Sequence, residues 1–131
     1  LRVLEQKRPW FRWPIWIGTL AFFLSCIYMT HVPRPPGFTN IVPWDKMKHF
    51  LGFGTLASMF YFSIWLKGVP RWKTALIVVC VLAMYAGLDE RTQPWTGRDC
   101  DIHDWYADMC GTVFASLFWS LLRAMLKQMP E

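Results

Sequence analysis

Four apolar stretches, at about residues 14–31, 46–66, 72–88 and 104–126, take up most of this 131-residue chain. Each is close to the ~20 residues that cross the hydrocarbon core of a bilayer as a helix. A helix satisfies its own backbone polar groups, which lipid cannot do, so such stretches admit few other folds. A soluble four-helix bundle would need a polar face on each helix. Residues 74–88 are continuously apolar and show none. The expected fold is all-α: a single domain over residues 1–131, built as a four-transmembrane-helix bundle.

The boundaries have local causes. Pro14 suits a first helical turn, and Pro33, Pro35 and Pro36 stop the first stretch. A signal peptide with Lys7, Arg8 and Arg12 as its basic region is the competing reading. No small-x-small cleavage site follows, so an uncleaved span is expected. The chain is 54% hydrophobic with nine Trp and ten Phe, too apolar for an ordinary small soluble domain. Its net charge of +5 sits at segment ends. That placement fits membrane lipids with anionic headgroups as partners, and no nucleic acid. Cys26, Cys80 and Cys110 fall in apolar stretches and read as small core residues, while Cys100 lies in a polar loop. No CxxC or Cys/His zinc spacing occurs, and no structural disulfide is expected.

Basic residues set the orientation. Arg2, Lys7, Arg8, Arg12, Lys67, Arg71, Lys73, Arg123 and Lys127 fall on one side if the spans alternate. Arg34, Lys46, Lys48, Arg91 and Arg98 fall on the other. Both termini are therefore expected in the cytoplasm, with the acidic connections facing outward. Trp10, Trp13, Trp16, Trp44, Trp72, Trp95 and Trp105 lie near span ends, as an aromatic belt requires. Gly52, Gly54, Ala57, Ser58, Ala83, Gly87 and Gly111 are small enough to let helices approach closely.

Ionisable residues at membrane depth are costly and point to function. Asp45, Lys48 and His49 recur at i, i+3 and i+4 and share one helix face, with Lys46 beside them. Asp45 also suits the cap of the second helix. Asp89 and Glu90 end the third stretch, and Gln93 follows within one turn on the same side. Adjacent carboxylates point different ways, so one can face the bundle and the other solvent. At a helix C-terminus they oppose the dipole and call for a cation. Arg98, whose planar fork suits a carboxylate or phosphate, is the nearest strong one. Asp104, Asp108 and Gly111 recur at i, i+4 and i+7 and are expected to face inward. Asp99, Asp101 and His103 read as solvated loop residues. Their spacing with Asp104 matches no metal motif, so no metal site is expected, and no cofactor is indicated.

In this order and at span edges, these residues resemble the VanZ-like family of small bacterial membrane proteins. The matching pieces are Asp45-Lys46-x-x-His49-Phe50, Asp89-Glu90-x-x-Gln93, Gly97-Arg98 and Asp104-x-x-x-Asp108-x-x-Gly111, covering about residues 43–115. Asp108 departs from the Asn that the family often carries. The resemblance implies a multi-pass protein of the bacterial cytoplasmic membrane, and the family's namesake is linked to resistance against the glycopeptide antibiotic teicoplanin.

Two functions lead at this point, ahead of a transporter or ion path, which four short spans without inverted repeats argue against, and of a purely structural polar network. An enzyme acting on a lipid-linked or cell-envelope substrate would use Arg98 with Lys46 or Lys48 to hold an anionic group. His49, Asp89 or Glu90 would then serve as acid or base. Asp45, Gln93, Asp104 and Asp108 would complete the ligand-binding set. The alternative is a non-catalytic binder of lipid or lipoglycopeptide that limits access to its target. It needs the same cations but no proton donor.

Overall fold

A computed structural model describes residues 12–33 and 42–128. They form α1 (Arg12–His31), α2 (Val42–Trp65), α3 (Arg71–Thr92), a short 3-10 turn (Gln93–Thr96) and α4 (Ile102–Gln128), and among the described residues there is no strand. Trp10, Arg2, Lys7, Arg8 and Arg34, which enter the belt and orientation readings, lie outside the described residues.

Two boundaries differ from the sequence expectation. The second helix begins at Val42, so Asp45 sits inside the first turn rather than at the cap. There its negative charge still meets the positive end of the helix dipole. The third helix continues past 88 to Thr92, because its terminal carboxylates find hydrogen-bond donors. Pro94 then tightens the chain into the 3-10 turn, and Gly97 at φ 76° ends it. A left-handed residue at that place favours glycine, which has no Cβ to clash.

Helix α2 is central and touches each of the other three helices. Its Phe53, Leu56, Ala57 and Tyr61 meet Val78, Leu82 and Ala86 of α3 and Ala115 of α4 in the buried core. Tyr85 of α3 lies 4.6 Å from Phe23 of α1 and 5.4 Å from Phe53 of α2 between ring centres, which ties three helices together. Helices α2 and α4 come closest at Gly111. A Cβ built there would stand 2.1 Å from the Phe50 carbonyl oxygen and 3.0 Å from the Gly54 nitrogen. Gly54 and the fully buried Ala57 lie in the same seam. A Cβ added at Gly52 would meet nothing within 4 Å, and one at Gly87 only the Trp105 ring nitrogen at 3.8 Å. Neither position needs a glycine for close helix approach.

The outward faces are apolar. Ile17, Leu20 and Leu24 of α1, Leu76, Met84 and Leu88 of α3, and Phe114, Leu117 and Leu121 of α4 are all exposed. Three helices, α1, α3 and α4, are long and apolar enough to cross a membrane. Helix α2 has the length but not the hydropathy, because Asp45, Lys46, Lys48 and His49 occupy its first turns. Cys80 and Cys110 are exposed on these outer faces and Cys26 is half-buried, so none of the three is a core residue as the sequence suggested. Position along an apolar helix does not reveal which side of it faces inward.

Candidate functional site

The inward face of α4 carries Asp104, Asp108 and Thr112, spaced by four residues and all buried. Opposite them on α2 are Lys46 and His49. The Lys46 ammonium bridges the carboxylates of Asp101 and Asp104. His49 Nδ1 lies 2.9 Å from Asp108 Oδ1, and its Nε2 lies 3.6 Å from Asp104 Oδ2. The ring is thus hydrogen-bonded at Nδ1 to Asp108 and has the Asp104 carboxylate, one helical turn away on α4, at ion-pair distance from Nε2.

The end of α3 closes the site from the third side. Gln93 Nε2 donates to Glu90 Oε1 at 2.8 Å and to Asp89 Oδ2 at 3.3 Å. The backbone N–H of Asp101 donates to Glu90 Oε2 at 3.0 Å. Asp89 also accepts from Thr30 Oγ1 at 2.9 Å and from the Tyr85 hydroxyl at 3.3 Å. His31 Nε2 sits 2.9 Å from Thr92 Oγ1, which fastens the end of α1 to the end of α3. Donors of this kind offset the unfavourable dipole at a helix C-terminus. Both carboxylates are buried, Asp89 and Glu90 being 2% and 4% exposed. The expectation that one would face solvent fails, because the 3-10 turn and the segment after it fold over that end of the helix.

The two polar clusters therefore meet. His49 of α2, Glu90 of α3 and Asp108 of α4 place one ligand-type atom each within 4.8 Å of one another, and Asp45, His49 and Asp104 do the same. Such sets are the groups here that could hold a metal ion. Asp101 is a partly exposed loop residue, as expected, but it is also paired: besides Lys46, it engages the backbone and ring of His103. The Lys46 ammonium holds its carboxyl below the usual carboxylate range. A depressed carboxyl stabilises the fold above its unfolded value of about 3.9 and loses that effect only as pH falls through its lower folded value. The Lys46–Asp101 link is therefore intact throughout the neutral and mildly acidic range. Asp99 is exposed.

A cavity of about 600 Å³ opens between α1 and α2. Phe22, Cys26, Met29, Val32 and Phe53 give it apolar walls, and Asp45, Lys48, His49 and Arg98 line its polar end. Arg98 Nη1 also donates to the Met29 carbonyl at 3.3 Å, which positions the loop against α1. The sequence reading missed Thr30, His31 and Tyr85. The signal available for the first two was a polar pair ending an apolar run, at the same depth as the other clusters. Tyr85 carried none, since a tyrosine in a span reads equally as core.

The family model for VanZ/LLP1 matches residues 4–123. No curated protein and no solved structure matches the chain.

Proposed function

Because this chain belongs to the VanZ/LLP1 family, we propose that it is a VanZ-like membrane protein that acts on a lipid-linked or other amphiphilic envelope molecule in the cleft between α1 and α2. The observation that carries this reading is the shape and polarity of that cleft. Its apolar walls suit an acyl or prenyl chain, and Lys48 and Arg98 at its polar end suit an anionic headgroup. His49 stands beside that headgroup position, held by Asp108 behind it. A buried imidazole hydrogen-bonded to a carboxylate is suited to chemistry on phosphate or carbonyl oxygen.

A second reading, binding without chemistry, draws on the placement of the His49 ring between Asp108, to which it is hydrogen-bonded, and Asp104. The two readings separate by mutation. Phosphatidylglycerol retained by the purified protein is measured by native mass spectrometry, together with any conversion of it or of a lipid-linked envelope precursor. Arg98→Lys is expected to weaken anionic-lipid retention about tenfold, because the bidentate fork is lost. His49→Ala should keep retention and lose conversion. If neither substitution changes retention, the cleft does not bind the headgroup. If retention alone responds and no precursor is ever converted, the binder reading replaces the enzyme.

The site is proposed to open on the outer face of the bacterial cytoplasmic membrane, with both termini inside, following the distribution of basic residues. The test uses a background in which Cys26, Cys80, Cys100 and Cys110 are replaced. Thr96→Cys is expected to react with an impermeant thiol reagent added to intact cells, and Val69→Cys is not. Reaction at Val69 alone would invert the orientation.

A further inference from the structure

We propose that His49, Glu90 and Asp108 bind one divalent metal ion, of the zinc or manganese class, where α2, α3 and α4 converge. The inference concerns the deep wall of the site and holds whether or not a lipid occupies the cleft. Three helices distant in sequence each contribute one metal-competent side chain to the same point. All three are buried, at 8%, 4% and 0% exposure respectively. That arrangement is expensive unless something compensates it, since an unpaired buried carboxylate loses its hydration without return.

Asp89, Glu90, Asp104 and Asp108 are all buried. Part of this set is compensated: Glu90 accepts at both oxygens, and Asp89 accepts from Thr30, Tyr85 and Gln93 and lies 3.7 Å from His31 Nδ1. The Lys46 ammonium is already shared between Asp101 and Asp104. Two buried oxygens at the site are left over. Among the described residues Asp108 Oδ2 has no hydrogen-bond partner although the residue is fully buried, its other oxygen being engaged by His49. Gln93 Oε1 likewise has none, on the amide whose nitrogen donates to Glu90. Orphaned acceptors beside an excess of carboxylate are what a cation would satisfy.

The donor set selects the ion. One imidazole and two carboxylates, with no thiolate, suit zinc, manganese or ferrous iron. Magnesium and calcium prefer oxygen-only shells, and His49 argues against them. His49 also belongs to the overlapping set with Asp45 and Asp104 and lines the cleft. An ion at His49 would therefore lie next to the polar end of the cavity, where a Lewis acid can polarise a headgroup oxygen.

The experiment begins with the full chain in detergent, stripped with a chelator and then titrated with Zn²⁺ or Mn²⁺ alone. About one equivalent should bind per chain and raise the thermal unfolding midpoint, because ligand bound only to the folded state stabilises it. Asp108→Asn keeps an acceptor for His49 and removes the charge; Glu90→Gln removes the other. Each should weaken binding by about 100-fold or more, beyond the 10–100-fold typical of residues that merely support ligands. Asp99→Asn, at an exposed position, should change nothing. Absence of binding overturns the proposal in favour of carboxyls that share protons. Equal binding by both variants also overturns it, because the ion would then sit elsewhere. Should the variants fail to fold, Co²⁺ added to the stripped wild-type chain decides the matter. Intense visible bands of a four- or five-coordinate ion support the site, and the pale spectrum of hydrated Co²⁺ overturns it.

Discussion

Gly111→Ala is expected to abolish accumulation of the folded protein. The added methyl would stand 2.1 Å from the Phe50 carbonyl oxygen, well inside contact distance, and 3.0 Å from the Gly54 nitrogen. Both obstacles are main chain, so no rotamer change relieves the clash. The only escape is for α2 and α4 to move apart. Overpacking a well-packed core costs about 1–3 kcal/mol, and a contact with backbone on both sides belongs at or above the upper end. Separation would also stretch the pairing of Lys46 with Asp104 and of His49 with Asp108, which span the same two helices. Fluorescence-detected size-exclusion chromatography with a thermal ramp measures the outcome. Gly52→Ala, where a Cβ meets nothing within 4 Å, is the matched control and should behave as wild type. A stable, monodisperse Gly111→Ala protein would mean that the two helices are not held this close.

Lys46→Met is expected to be nearly as damaging, for an electrostatic reason. It keeps much of the side-chain volume but removes the positive charge between Asp101 and Asp104. Asp101 is partly exposed and can turn to water, whereas the Asp104 side chain is 5% exposed and cannot. Breaking a buried pair by removing one partner typically costs about 3–5 kcal/mol, mostly for the charge left behind. Lys46 keeps a quarter of its surface exposed, so the lower end of that range applies. Lys46→Met combined with Asp104→Asn removes the stranded charge as well and should recover much of the loss. A double-mutant cycle on thermal stability reads the coupling directly. If the double variant is simply as unstable as the sum of the two single ones, Lys46 and Asp104 are not partners.

How much of this was legible in the sequence depends on the kind of information each residue carries. Helix number followed from apolar run length and proline placement. Gly111 and the four-residue spacing of Asp104 and Asp108 foretold an inward face on α4, since that spacing has meaning only on a helix. The union of the two polar clusters was not legible, because it depends on which helices are neighbours. The pairing of Asp101 was not legible for the same reason: nothing local says that a lysine from another helix reaches a partly exposed loop acid. The paired burial of Asp89 and Glu90 depends on the 3-10 turn folding back, a path that Pro94 and Gly97 permit but do not impose. Cys80 and Cys110 show the converse limit, since an unbroken apolar helix does not say which flank its neighbours cover.

The one long helix among the described residues without a span-like apolar window is also the one that touches the other three. Asp45, Lys46, Lys48 and His49 lie in the first turns of α2, and the carboxylates that satisfy Lys46 and His49 come from the loop before α4 and from α4 itself. During synthesis α2 emerges well before those partners exist. A chain ending before α4 would carry two lysines and a histidine in these turns with no acid from the last helix to meet them. The polar end of α2 is thus completed by the part of the chain made last, so the segment on which the site is built depends on α4 for its hydrogen-bonding and charge partners.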